Sequence, residues 1–586
     1  MDAMTDKTLD KQQDKPLARN EGLKTNSRYL RGTLSEGLDR EITGEITEDD
    51  QQLVKFHGMY LQDERDLRAE RSKKKMEKAF SFMIRVRIPG GVTTPAQWLA
   101  MDQIARDYGN GTMRLTTRET FQLHGVIKFN ARASIQKLDS VLLDTIAACG
   151  DVNRNVMSAS NPHQSGAHQA AYELGKNISD YLLPKTGAYR EIWIDGEKVA
   201  GGEETAKVVE PIYGETYLPR KFKTVIAVPP QNDVDIFAHD LGFIAILDKD
   251  GKLEGWNVTV GGGMGMTHGD TKTYPRTANV LGFVRPENAL KAAEAVLTTQ
   301  RDWGDRTNRA HARVKYTVED RGLDAWRAEV GRRVGTALAE PRPFTFTGTG
   351  DAYGWSESEN GKSHLTLFIE NGRIRDWPDG RRLMTGLRRI AEEHDGEFRM
   401  TSNQNVIIAN ISKKNRKNIE KLVAEYGLTS EAGALRRNAM ACVALPTCGL
   451  ALAESERYLP DLITILEDMT AKHGIPDEEI VIRMTGCPNG CARPYLAEIG
   501  FVGKGPGRYN LYLGAAFNGE RLSKLYLEDA DESEIVSALD PLIEDFAKNR
   551  APGEHFSDFV IRQGYVAQTT NGPDFHVNTG SQKPAA

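Results

Sequence analysis

The chain has 586 residues, room for about three to four domains, and its 39% hydrophobic and 27% charged residues are those of an ordinary soluble protein. A net charge of −6 argues against a general nucleic-acid binder, and no apolar run is long enough to span a bilayer. Asp2, Asp6, Asp10 and Asp14 exclude a secretory or transit signal, and five cysteines in so long a chain exclude a disulfide framework, so a reducing cytoplasm is expected.

Residues 1 to about 50 are polar, mixed in charge and poor in aromatics, the composition of a mobile arm. The composition changes at Phe56-His57-Gly58-Met59-Tyr60, and residues 63–78 read as a densely charged helical segment with a solvated face. Phe82, Ile84, Val86 and Ile88 then alternate as in a half-buried strand, which puts Arg85 and Arg87 on the opposite face. Thr94-Pro95 starts a helix with an apolar stripe of Trp98, Met101, Ile104 and Tyr108. Strands are expected at 113–118 and 121–129, and a helix from about Ser134 to Ala148. Cys149, at the end of that helix, reads as a small buried hydrophobe.

The unit recurs. The strand Leu365-Thr366-Leu367-Phe368-Ile369 and a helix with Leu383, Leu387 and Ile390 precede Phe398-Arg399-Met400-Thr401, which parallels Met113-Arg114-Leu115-Thr116. Arg154-Asn155-Val156-Met157 parallels Arg437-Asn438-Ala439-Met440, and residues 229–243 parallel 487–501. The chain therefore reads as an α+β protein built from a duplicated module with pseudo-twofold symmetry. The run Gly261-Gly262-Gly263-Met264-Gly265 lacks the spacing and later acid of a dinucleotide fingerprint and reads as a turn.

Only the second copy carries paired cysteines: Cys442 and Cys448, then Cys487 and Cys491, each pair in a loop. Structural zinc sites use tighter knuckles than the first pair offers. An iron–sulfur cluster accepts wider, unequal spacing among small and apolar residues. Spacing favours the cluster and leaves zinc open.

The residues around the thiols say more. Met-Ala-Cys-Val-Ala-Leu-Pro-Thr-Cys, followed by Thr-Gly-Cys-Pro-Asn-Gly-Cys-Ala-Arg, resembles the signature of the sulfite and nitrite reductase family, whose members carry sirohaem and a [4Fe–4S] cluster. The resemblance runs over nearly the whole chain. It implies that Cys442, Cys448, Cys487 and Cys491 hold the cluster and that Cys491 is also the axial ligand of the sirohaem iron. It further implies that Arg85, Arg154, Lys221 and Lys223 line the substrate pocket, and that Arg114, Thr116, Arg118, Gln122 and Asn489 hold the macrocycle. His124 is either a supporting donor or an ordinary strand residue.

The activity implied is the six-electron reduction of sulfite to sulfide in sulfur assimilation and cysteine biosynthesis, with nitrite reduction as the enzymatic alternative and a zinc-stapled scaffold as the non-enzymatic one. The opening Asn26-Ser27-Arg28-Tyr29-Leu30-Arg31-Gly32 is similar to members fed by a separate FAD/FMN flavoprotein that uses NADPH, whereas Cys-Gly-Asp-Val-Asn-Arg-Asn is also similar to ferredoxin-dependent members. The implied organisation is three mixed α/β domains around a cofactor cleft. Residues 1–80 form an arm that docks the partner, 81–148 and 346–429 are halves of a central ferredoxin-like domain, and 149–345 form the sirohaem and substrate domain. Residues 430–570 form the cluster domain, and 571–586 a disordered tail.

Overall fold

The computed structural model describes residues 15–577, apart from 162–164, 186–190, 195–196, 202–209 and 430. Four five-stranded sheets form two like pairs. One sheet of the first pair has the spatial order Met59–Asp63, Phe80–Arg85, Phe121–Val126, Met113–Leu115, Arg373–Ile374. Its counterpart has the order Gly354–Glu357, Ser363–Leu367, Val406–Ile411, Glu397–Met400, Val92–Thr93. Each sheet takes its last strand from the other half: Arg373 pairs with Arg114, and Val92 with Arg399. Trp98 stacks on Phe398 between them, ring centroids 4.5 Å apart, so neither half closes its core alone.

The second pair shows the duplication most directly. Met157–Ser158, Thr224–Ala227, Leu241–Leu247, Leu253–Val260 and Asn279–Val284 form one sheet; Ala439–Ala441, Ile482–Thr485, Ile499–Gly505, Arg508–Leu513 and Lys524–Ala530 form the other. In both, the first three strands run parallel and the last two antiparallel. The central parallel strands Thr224–Ala227 and Ile482–Thr485 are buried throughout, as strands covered on both faces must be.

The symmetry reaches single residues. Asp235 and Arg493 hold equivalent places, each left-handed (φ 48° and 55°) and each entering a short 3₁₀ turn. They meet: Arg493 Nε donates to Asp235, and Arg483 Nη1 donates to the same carboxylate at 2.7 Å. All three side chains are at most 4% exposed. Burial alone would raise the Asp235 pKa, but the two guanidinium groups hold it below the ordinary carboxylate range.

Local signals hold where capping is explicit. Thr94 and Gln97 close a capping box on the helix Pro95–Asp107, which buries Trp98, Met101 and Ile104. Elsewhere the structure departs from expectation. The strand ends at Arg85, and Arg87 turns away to pair with Asp144 and Asp180, so the two arginines do not share a face. The helix after the strand Phe121–Val126 is Lys128–Asp139, earlier than expected. Residues 140–148 turn back to bring Asp144 to Arg87, which leaves Leu142 exposed at φ 59°. The 63–78 segment holds only a 3₁₀ turn, Arg65–Leu67, and a short helix, Arg68–Lys73.

Residues 15–50 are not a mobile arm. Leu30, Leu34 and Ile46 enter the main core, which continues through Leu53, Val54, Phe56 and Met59, and Met59–Asp63 pairs with the strand Phe80–Arg85. Lys24 is buried, donating to Glu21 and to Leu218 O, each at 2.7 Å. Charges that look solvated in the sequence are here paired inside. Residues 571–577 are likewise packed, with Phe575 buried against Tyr495 and Tyr512. The expectations for 1–14 and 578–586 lie outside the described residues.

Asp235→Asn removes one charge and strands two buried guanidinium groups. We expect a loss of about 3–5 kcal/mol of stability, read as a lower denaturation midpoint in urea; an unchanged midpoint would contradict the role of this pair.

Candidate active site

The cysteine loops follow two adjacent parallel strands. Cys442 comes just after Ala439–Ala441, and Cys487 two residues after Ile482–Thr485, so strand pairing brings the loops side by side. Gly486 N approaches Cys442 Sγ at 3.4 Å, and Asn489 Nδ2 approaches Cys487 Sγ at 3.5 Å. Burial raises the pKa of Cys442, Cys448 and Cys487, with Cys487 pushed up to about 11, and the neighbouring Cys491 raises each further. The four thiols thus share one electrostatic space. Among the described residues, however, no three His, Cys, Asp or Glu side chains converge as a single metal ion would need.

That spread suits a multi-atom cluster better than zinc. The buried hydroxyls Thr447 Oγ1, beside Cys448, and Thr485 Oγ1, two residues before Cys487, have no partner among the described residues. Unfilled donors beside thiols fit a sulfur-rich group that accepts hydrogen bonds.

Cys491 alone of the four is exposed, and it faces cations. Arg85, Arg114 and Lys221 all lie within electrostatic reach of its sulfur. Lys221 and Lys223 flank the buried Phe222 just ahead of the strand Thr224–Ala227, so both point to the same side. Neither ammonium has a hydrogen-bond or ion-pair partner among the described residues. Burial, with Arg313, Arg220 and Arg154 nearby, lowers Lys221 to about 7. Lys223 is held well below its usual value by burial, Lys221 and Arg118.

The other expected residues are close by but differently engaged. Arg114 Nη2 donates to Ala441 O at 2.8 Å, and its Nε lies 2.9 Å from Glu456, so it joins the strand Met113–Leu115 to the first cysteine loop. Arg118 is tied to Asn155 O and to His239 Nδ1, and burial lowers its pKa to about 9. Thr116 is buried and accepts from Arg118 N. Gln122, with its amide turned, accepts from Arg85. Arg154 Nε donates to Gly150 O at 3.0 Å. His124 is buried, and neither ring nitrogen has a partner among the described residues. Asn489 O lies against Gly265, and Met266 N donates to Pro488 O, so the glycine-rich turn braces the second cysteine loop.

Arg85, Arg118, Arg154, Arg220, Lys221 and Lys223 therefore gather with no carboxylate at ion-pair distance among the described residues. The nearby acids are committed: Asp240 to Arg313 at 2.8 Å, Asp151 to Arg309 at 2.8 Å. Uncompensated cations at this depth are costly unless an anion joins them.

Comparison with known proteins agrees. A family model described as "Nitrite/Sulfite reductase ferredoxin-like half domain" matches residues 74–141 and 356–426, and one described as "Nitrite and sulphite reductase 4Fe-4S domain" matches 175–338. The sulfite reductase [NADPH] hemoprotein beta-component of Methylobacterium sp. (strain 4-46) is 67% identical over 570 residues, covering 97% of this chain and 94% of that protein. The chain belongs to the nitrite and sulfite reductase family. The protein of the same name from Shouchella clausii is 58% identical and covers 98% of this chain and all of its own length. The solved structure of the Mycobacterium tuberculosis NirA protein shares the fold, with TM-score 0.74 at 24% identity, covering 93% of this chain and 96% of its own. Within this family member, the 4Fe-4S domain model falls on the first copy of the duplicated sheet, while the four cysteines lie in the second.

Several neighbours of the site were not expected from sequence. Arg313 and Arg220 press on Lys221, and Tyr60 and Cys149 press on Arg85, whose Nη1 lies 2.8 Å from Cys149 Sγ. The cation run 309–315 was a visible signal for Arg313; nothing local pointed to Tyr60 or Cys149.

A lysine titrating near 7 is a far better nucleophile at neutral pH than a surface lysine, its neutral fraction being on the order of a thousandfold larger. In the cofactor-free chain, brief acylation at pH 7.5 should label Lys221 and Lys223 ahead of the surface lysines. Labelling should fall as pH drops below about 7 and should slow when sulfite is added. Mass spectrometry reads the positions; labelling no faster than at surface lysines would contradict the site's electrostatics.

Proposed function

We propose that this chain is the haemoprotein component of an assimilatory NADPH-linked sulfite reductase, which reduces sulfite to sulfide with sirohaem and a [4Fe–4S] cluster in sulfur assimilation and cysteine biosynthesis. One observation carries the reading: the exposed Cys491 lies within electrostatic reach of cations that have no carboxylate partner among the described residues. Cys442, Cys448, Cys487 and Cys491 would hold the cluster, with Cys491 also reaching the haem iron. Arg114, Thr116, Arg118, Gln122 and Asn489 would hold the macrocycle, whose carboxylates supply the negative charge that the recess lacks.

When bound, the coupled cofactors supply one-electron storage and an iron at which sulfite is reduced. The overall change takes sulfite, six electrons and seven protons to hydrosulfide and three waters. Arg85, Arg154, Lys221 and Lys223 bind the dianion and stabilise charge on its oxygens. Arginine keeps its proton throughout, so the lysines are the proton donors to departing oxygen. The low pKa of Lys221 eases that transfer, while a bound dianion pulls it upward so that the proton is present before reaction.

The electrons come from a separate carrier, and the name shared by the relatives indicates an NADPH-linked partner, which we take to be an FAD/FMN flavoprotein subunit. No helix among the described residues is long and apolar enough to cross a membrane, in keeping with a cytoplasmic enzyme.

Steady-state rates with sulfite and with nitrite, driven by reduced methyl viologen, test the activity: sulfite should be preferred, and a clear preference for nitrite would reassign the substrate. In the same assay, Lys221→Met or Arg154→Ala should retain both cofactors but turn over at least about tenfold more slowly. Wild-type rates in a cofactor-replete variant would remove these residues from the mechanism.

Cys491→Ser tests the shared ligand. Iron content and the visible haem spectrum should both change, whereas loss of the cluster with an untouched haem spectrum would show that Cys491 serves only one group.

A further inference from the structure

A reductase fed by a separate carrier needs a face where that carrier comes close to the cluster. The second half of the first cysteine loop reaches the surface at Gly449 and Leu450, immediately after Cys448, and Leu450 is 67% exposed. The segment 64–81 is tied to this loop: Arg65 N donates to Pro446 O at 3.2 Å, and Arg65 Nη1 donates to Ala451 O at 2.7 Å. The short helix Arg68–Lys73 is thereby held beside the loop.

A groove of about 440 Å³ adjoins the same segment. Ile42, Phe80, Ile127 and Phe129 help line it, and so does Thr447, the residue bonded to Cys448. Ile42 is 83% and Phe129 57% exposed. With Ile127, Leu67, Met76 and Leu450, six exposed large apolar side chains flank this one segment. Single exposed apolar residues are ordinary, but a group around one groove marks an interaction site.

Charge identifies what would cover it. Asp63 is paired with Arg68, Asp66 with Arg457, and Glu70 with Lys74. Arg71, Lys73, Lys75 and Lys78 are left with no carboxylate at ion-pair distance among the described residues. Glu41, Glu64 and Glu77 also line the groove, Glu77 accepting from Thr43 Oγ1 and Gly44 N, but the 64–81 segment carries seven cations against four carboxylates, so on a chain of net charge −6 this is a locally basic, apolar-centred face.

We propose that this face, made by the 64–81 segment, the adjoining groove and the Gly449–Leu450 rim, docks the acidic FMN domain of the electron-donating flavoprotein. The cations steer and orient the domain, and the groove holds it. Docked there, the reduced flavin would give up one electron per encounter from the Cys448 side, and the group held by the four cysteines would take it, with no bond formed to this chain. Cys491, beside the unpaired cations, would stay with the substrate. The assignment rests on the functional reading above; of the N-terminal residues 15–58 it uses only the exposed turn at Ile42, since Leu30, Leu34, Leu53, Val54 and Phe56 are taken up by the core.

The test uses the full-length holoenzyme carrying Lys73→Glu with Lys75→Glu, or Phe129→Ser, assayed with reduced methyl viologen and with NADPH plus the flavoprotein. The flavoprotein concentration for half-maximal rate should rise roughly tenfold, and for the charge variant its salt dependence should flatten, while the viologen rate stays at the wild-type level. An unchanged flavoprotein titration overturns the proposal. Equilibrium binding of the isolated FMN domain to the conservative variants Lys75→Gln and Phe129→Leu decides the matter if the stronger changes disturb folding: weaker binding supports the face, and wild-type binding overturns it. Variants that impair reduction by a [2Fe–2S] ferredoxin but not by the flavoprotein overturn the choice of occupant. A wild-type enzyme that fails to reduce sulfite even with methyl viologen sinks the functional reading, whereas the FMN-domain binding result still judges the face.

Discussion

Three charges meet where the two copies of the module face each other: Asp235 from the first, Arg483 and Arg493 from the second. Buried ion pairs are poor sources of net stability, because desolvation consumes most of the attraction, but they penalise any arrangement that separates the partners. Here that penalty sets how one copy lies against the other. Arg493 is two residues from Cys491 and also donates to Thr117 O and Ser402 O, one in each ferredoxin-like half. The group that aligns the copies therefore also sets the turn that presents the exposed thiol, and Thr117 Oγ1 holds Cys491 O from the other side.

With that alignment fixed, the group of cations beside Cys491 cannot satisfy its own charge. Its cations come from distant parts of the chain, and the acids within reach already serve other arginines. A folded chain that carries such a surplus holds it in reserve for an anion. The depressed pKa values of Lys221 and Lys223 express the same strain in protonation terms. On the proposed function a polyanionic cofactor and a dianionic substrate would relieve it, so that binding and proton supply would draw on one electrostatic source.

Duplication made this division of labour possible. Asp233 stands in the first copy where Cys491 stands in the second; it is buried, accepts from Ser160 N, and has its pKa pushed up to about 7 by burial and Asp351. The recess related by symmetry to the active one is closed by residues 349–353: Asp351 accepts from Thr401, Asn403 and Asn405, and Tyr353 donates to Arg437 O. About 20 Å³ remains open there. One copy keeps the thiols and the other supplies cations, and the pseudo-twofold places both around one site.

Much of this was legible in the residues. Period-two alternation, the Thr94-Pro95 start and the repeated segments are local signals, and they determined the α+β class and the duplication. The four cysteines in two loops, with their flanking residues, determined the family. Tertiary structure decided what depends on partners far along the chain. That Lys24 and Glu21 are buried, that Arg87 leaves the site while Arg85 stays, and that Arg313 and Cys149 press on it could not be read locally. A charged side chain has the same sequence signature whether water or a buried counter-ion surrounds it. Only the folded arrangement says which charges are paired, and so which are left for a ligand.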